Sequence, residues 1–210
     1  MRLQKIQPVQ QLTTSPLDPR SPAALRPALA AQQAGVTLIE LLVVITLAGI
    51  LMAIGVPSYR YVTYSNRVAT EVDSLLGDLQ YARSEATREG QYVTVCIAQS
   101  TSPATCAAAG SANWQNGWII FSDVNHDETI DSGDPVLRIR AAFTSSDTFV
   151  SNPAASAITF NREGFASLGA GATRITLNDS DNDPTYARCL DVNQAGMMST
   201  QTNTSDVTCI

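Results

Sequence analysis

The chain has 210 residues, 44% hydrophobic and only 15% charged, with a formal net charge of −6. That leaves room for one domain plus extensions and is an ordinary globular composition. The charge is unevenly placed: residues 1–35 carry Arg2, Lys5, Arg20 and Arg26 against Asp18, whereas the remaining 175 carry nine Arg and no Lys against 18 Asp and Glu. So acidic a body repels a phosphate backbone unless its arginines cluster on one face, which weighs against nucleic-acid binding. A single histidine, His126, excludes a histidine-based zinc site or catalytic pair.

Residues 1–34 are rich in Pro, Gln, Ala and Ser without apolar periodicity, and read as an unstructured leader. From Val36 to Val56 only Thr37, Glu40, Thr46, Gly49 and Gly55 interrupt an apolar run of 21 residues, long enough to span a bilayer as a helix. Pro57 is expected to kink that helix or loosen its next turn. The helical pattern then resumes with Val68, Val72, Leu75, Leu76, Leu79, Ala82 and Ala86 at three- and four-residue steps. Arg67, Glu71, Asp73, Asp78 and Glu85 fill the other faces, and Gly90 is a candidate C-cap. One helix from Val36 to about Glu89 would be roughly 80 Å long at 1.5 Å per residue. Its amphipathic second half is expected to lie on a globular domain and its apolar first half to project from it.

After Gly90 the pattern changes to short β-branched or alternating runs: "QYVTVCIA", "GWIIFSD", "PVLRIRAAF", "SAITFNREG" and "TRITLND", with "ARCLDV" as a possible sixth. The fold class is therefore α+β, an antiparallel sheet packed on the amphipathic half-helix, with no second domain. Four cysteines, Cys96, Cys106, Cys189 and Cys209, all follow the apolar run. Their even number points to two local disulfides in an oxidising compartment such as the periplasm; four unpaired thiols are the alternative.

Glu40 is the anomaly of the apolar run, because a carboxylate in hydrocarbon costs roughly 2.5–3.5 kcal/mol. A cleaved secretory signal would use the small residues around Ala53-Ile54-Gly55, but Pro57 follows too closely and Glu40 breaks its core. A plain signal anchor explains the length, with Thr37-Leu38-Ile39-Glu40 as a capping box and Glu40 suited to the helix dipole. The third reading uses more residues. "GVTLIELLVVITLAGILMAIGVPSY", Gly35 to Tyr59, closely resembles the class III signal of type IV prepilins and type II secretion pseudopilins. Val36 stands where such signals more often have phenylalanine or methionine.

The resemblance implies cleavage between Gly35 and Val36 by a prepilin peptidase, N-methylation of Val36, and retention of the helix as membrane anchor and filament core. It divides the chain into a leader (1–35), a transmembrane and filament-core helix (36–57), its amphipathic continuation (58–89) and a β-rich periplasmic or surface domain (90–210), a type IV pilin-like fold. The implied location is the inner membrane, single-pass, and then a pilus or pseudopilus. Other pilins or pseudopilins and the inner-membrane assembly platform are the implied partners. Cleavage would also create a cationic α-amine on Val36. Glu40 of one subunit could meet that amine of another, a pairing that offsets desolvation only in good geometry.

"LLGDLQYARSEATREGQYVTVC", "WQNGWIIFSDVNHDETIDSGDPVLR" and "ITFNREG", with the paired-cysteine ending, resemble the GspH/FimT family of minor pilins and pseudopilins. Its members help initiate or cap a filament and have no enzymatic activity. By that resemblance Cys96 pairs with Cys106 and Cys189 with Cys209, each short loop stabilising by roughly 3 kcal/mol. Some relatives bind DNA in natural transformation through an arginine-containing stretch after a glycine near the C-terminus. Here that place reads Asn193-Gln194-Ala195-Gly196-Met197-Met198, with no positive side chain between Arg188 and Ile210.

"DVNHDETIDSGD" admits two readings. Asp123, Asn125, Asp127, Thr129, Asp131 and Asp134 occupy positions 1, 3, 5, 7, 9 and 12 of a calcium-loop template, which would make the chain a calcium-dependent adhesive subunit. Glu128 stands where the template wants glycine, and Asp134 replaces its bidentate Glu. The other reading is an Asp/Asn-rich turn bonding its own backbone. "NDSDNDP", Asn178 to Pro184, reads as a solvated loop.

Overall fold

The computed structural model describes residues 35–169, 171–204 and 209; the leader expected at 1–34 lies outside them. The chain forms two compact units, Met1–Thr46 and Leu47–Ile210. One helix, α1 (Leu38–Glu89, 52 residues), begins in the first and continues in the second. The helical backbone runs through Pro57 without interruption, so the expected kink or loosened turn does not end it. The proline removes one intrahelical N–H, and the intact turns on both sides carry the helix past that loss. At the far end Gly90 takes φ +69 and donates its N–H to the Ala86 carbonyl at 3.0 Å, closing the last turn as expected.

From Val68 onward α1 buries one stripe: Val68, Val72, Leu75, Leu79, Ala82 and Ala86 are completely buried. Steps of four and three keep these side chains on one face. Two antiparallel sheets pack around them, where the sequence led us to expect one. The first contains β1 (Tyr92–Thr101), β2 (Ala104–Cys106), β3 (Trp118–Asp123), β4 (Val136–Arg140), β6 (Ala157–Phe160) and β7 (Ala166–Ser167), in the order β4-β3-β1-β6-β7 with β2 paired to β1. The second is β10-β9-β8-β5, from β5 (Thr148–Asn152), β8 (Ala172–Asn178), β9 (Arg188–Asn193) and β10 (Met198–Thr202). One core joins the helical stripe to Val93, Val95, Ile97, Trp118 and Ile120 of the first sheet and Phe149, Ile175, Leu177, Leu190 and Val192 of the second. Burying a Val, Leu, Ile or Phe side chain fully is worth about 1.5–3 kcal/mol, the scale on which each Val and Leu of the stripe contributes.

The first sheet is covered on its other face too. Cys96, Ala98, Ile119 and Phe121 point away from the helix and are packed over by Ala104, Cys106 and Ile130. Two pieces supply that cover: the β1–β2 hairpin, stapled by the Cys96–Cys106 disulfide, and the 124–135 segment that carries Ile130. A second disulfide, Cys189–Cys209, ties the chain's end to β9.

One charge lies within the helix–sheet contact. Asp78, 1% exposed, accepts hydrogen bonds from Trp118 Nε1 at 2.9 Å, from Arg138 at 2.5 Å and from the Nε and Nη2 of Arg140 at 3.1 and 3.0 Å. The sequence pattern placed Asp78 on a face other than the apolar stripe; in the structure it lies inside the helix–sheet contact, because two arginines on one side of β4 reach back to the helix. A buried carboxylate so fully hydrogen-bonded is satisfied, and removing it strands its donors. Asp78→Ala should therefore lower unfolding stability by about 3 kcal/mol and Trp118→Phe by about 1 kcal/mol in urea titrations. Equal, near-zero losses would show the cluster to be incidental.

Candidate assembly site

The apolar end of α1 is organised by a threonine. Thr37 precedes the helix, its carbonyl accepts the N–H of Leu41 at 3.1 Å, and its Oγ1 accepts the N–H of Glu40 at 3.3 Å. This is one half of a capping box. The other half is not made: among the described residues the Glu40 carboxylate has no hydrogen-bond or ion-pair partner, and Glu40 is exposed. Capping therefore explains Thr37 but not the carboxylate.

Around Glu40 the helix is apolar on every side. Val36, Leu38, Ile39, Leu41 through Ile45, Leu47, Ile50 through Met52, Ile54 and Val56 are all exposed. The most apolar 18-residue window has a mean hydropathy of 2.6 and none of it is buried within the protein. Water alone is a poor surround for such a surface. Tyr59 and Tyr61 follow directly, and Tyr61 and Tyr64 both lie 5.6 Å, centroid to centroid, from Tyr186. Aromatic rings there suit a membrane–water boundary.

The 123–134 loop is a turn held by its own hydrogen bonds. Asp123 accepts from the backbone N–H groups of Asp127 and Glu128 and from the Thr94 hydroxyl. Asp134 accepts from Val124 and Asp131, Asp127 from Thr129, and Asp131 from Gly133. His126 and Glu128 take φ of 57 and 60, so Glu128 adopts the left-handed conformation for which the calcium template reserves glycine. Asn125 donates its amide to both Asp127 and Asp131. Among the described residues no three His, Cys, Asp or Glu side chains are placed to hold a metal. These hydrogen bonds support the turn reading of Asp123, Asn125, Asp127, Thr129, Asp131 and Asp134, and the turn lays Ile130 over the first sheet. Its organiser, Asp123, is fully buried.

The Asn193–Met198 stretch is likewise engaged. It forms a turn in which Gly196 donates to the Asn193 carbonyl, beside a matching turn in which Gly164 donates to Asn161. Arg83 of α1 reaches between them and gives Nη1–H to the Gly196 carbonyl at 2.9 Å. A Cβ on Gly196 would meet the Gly164 carbonyl at 2.2 Å, so only glycine fits. An arginine does approach this turn, then, but from the helix and committed to the backbone, an arrangement the strand-by-strand reading missed.

A family profile described as "Type II transport protein GspH" matches residues 71–196. The chain belongs to the GspH family. A second profile, the prokaryotic N-terminal methylation motif, matches residues 31–56. No curated protein matches. The crystal structure of the type IV minor pilin FimU from Pseudomonas aeruginosa (strain PAO1) in space group P21 aligns with a TM-score of 0.51 and 20% identity. That alignment covers 69% of this chain and 96% of that one. The FimU structure in space group P65 aligns at TM-score 0.48, again 20% identical, over 69% of this chain and 99% of that one. At that identity the likeness concerns the fold: a long N-terminal helix followed by antiparallel sheets. GspH-family chains are structural pilin or pseudopilin subunits, not enzymes, and family membership implies assembly with other pilins and processing by a peptidase. The methylation motif and the apolar helix fit a membrane-anchored pilin with a C-terminal globular domain.

Millimolar calcium, followed by chelator, should leave the melting temperature of the detergent-solubilised protein unchanged. A rise of several degrees reversed by chelator would restore the metal reading.

Proposed function

We propose that the chain is a minor pilin or pseudopilin cut between Gly35 and Val36, methylated on the new Val36 amine, and carried by its apolar helix first in the inner membrane and then in a filament core. The observation that carries this reading is the exposed apolar half of α1 with an unpartnered Glu40 carboxylate in its first turn. Hydrocarbon tolerates the apolar side chains and penalises the charge; a bundle of like helices accepts the former and can offer the latter a cation. The α-amine that cleavage creates on a neighbour's Val36 is such a cation, so subunit register is set where the two charges meet. The basic residues before Gly35 favour a cytoplasmic N-terminus, leaving the sheet domain periplasmic. Its disulfides, Cys96–Cys106 and Cys189–Cys209, suit that compartment.

Within this reading the chain initiates or caps a filament of the type IV pilus or type II secretion class. Direct DNA binding is disfavoured by the acidic domain and by the commitment of Arg83 to the Gly196 carbonyl. Glu40→Ala should leave cleavage after Gly35 intact while reducing recovery of the subunit in sheared filaments at least tenfold. Normal incorporation of Glu40→Ala would remove the charge pairing. Deletion then separates the filaments: loss of twitching motility marks a pilus, retention of secreted enzymes in the periplasm a secretion pseudopilus.

A further inference from the structure

Where α1 first becomes buried, a second group of charges sits between the helix and the segment joining β4 to β5. Arg67 donates from Nη2 to Asp147 Oδ1 at 2.6 Å, and Ser145 donates to Glu71 Oε1 at 3.2 Å. The Asp147 side chain is fully buried, and the Tyr64 ring lies 5.0 Å below the Arg67 guanidinium. Three polar atoms of this group are buried without a hydrogen-bond partner: Arg67 Nε, Glu71 Oε2 and Asp147 Oδ2. Two facing carboxylates explain the last two. Both are acceptors when ionised, and either gains a partner if one carries a proton.

From this geometry we infer that Arg67, Glu71, Ser145 and Asp147 form a pH-responsive clasp: a proton held between Glu71 and Asp147 pins residues 141–147 to the helix, and its loss loosens them. The groups facing Glu71 are Asp147 and Ser145 from the β4–β5 segment and Arg67 from one helical turn earlier. Burial chiefly, and then the charge of Asp147, push the Glu71 carboxyl up to about 7, against the opposing pull of Ser145 and Arg67. With one proton on the pair, one carboxylate faces one guanidinium and the charges balance. Above neutrality two carboxylates share one guanidinium whose Nε is itself unmatched. Because the folded-state value lies above the ordinary 4.5, the clasp's contribution is complete below about 4.5 and is lost as pH rises through about 7. On the proposed reading the domain faces the periplasm or the outside of a filament, where pH follows the surroundings.

The test uses the full chain in detergent. Between pH 5 and pH 8 the wild-type melting temperature should fall about 2–4 °C further than that of Glu71→Gln, whose amide can donate to Asp147 at every pH. Equal pH slopes in the two proteins would overturn the clasp. If Glu71→Gln does not fold, the wild type decides. With 13C-labelled side-chain carboxyls on its six glutamates, the Glu71 signal should titrate near pH 7. A midpoint in the ordinary carboxylate range refutes the shared proton. Amide exchange at Ser145–Phe149, corrected for intrinsic pH dependence, should quicken across the same interval, and unchanged protection there refutes the release.

Discussion

Six side chains of one helix, Val68 to Ala86, hold both sheets of this protein, and everything else in the domain is arranged so that this stripe stays dry. The sheets alone could not do it, because each needs an apolar partner for its inner face and α1 is shared by both. The charges at the margin are placed accordingly. Asp78 enters the contact only because Trp118, Arg138 and Arg140 supply donors for its oxygens. Glu71 and Asp147 enter less comfortably, with oxygens left over. The outer face of the first sheet is closed by a disulfide hairpin and by Ile130 on a loop organised by buried Asp123.

The same helix is treated in opposite ways along its length. Beyond Val68 its apolar side chains are completely buried; before Val56 they are exposed around the whole circumference. A chain that packs one half of its helix this tightly has the means to cover apolar surface, so the uncovered half is meant for other surroundings. Lipid and neighbouring helices both satisfy Leu and Ile, and in the proposed filament a neighbour's Val36 amine would supply the cation for Glu40. Membership of the GspH family and the methylation motif over residues 31–56 agree with that division.

Much of this was legible in the sequence, and the failures have physical reasons. The helical stripe was readable because apolar side chains repeat at helical spacing. Glu40 stood out because an isolated charge in an apolar run is expensive. Strands β1, β3, β4, β6, β8 and β9 were found through β-branched alternation, whereas β2, β5, β7 and β10 were not. β7 has two residues, and the Met198–Thr202 strand is mostly Ser, Thr and Gln, which read equally well as loop. Without β5 and β10 the second sheet could not be seen. Asp78 and Glu71 were placed on faces other than the stripe, with no partners assigned; the visible clue was Arg138 and Arg140 two residues apart, on one face of a strand. The loop from Asp123 to Asp134 fitted two templates by residue type, and its carboxylates accept from backbone and from Asn125, as the turn requires. The contact of Arg83 with Gly196 spans 113 residues and no local pattern announces it.

The central claim is that the apolar helix is kept, with a new and modified amine at its start. Intact mass and N-terminal sequencing of the protein purified from membranes test it directly. The expected mature chain begins at Val36 and carries one methyl group on its α-amine. A mature chain that retains residues 1–35, or one cut after Gly55 and released from the membrane, would contradict the account.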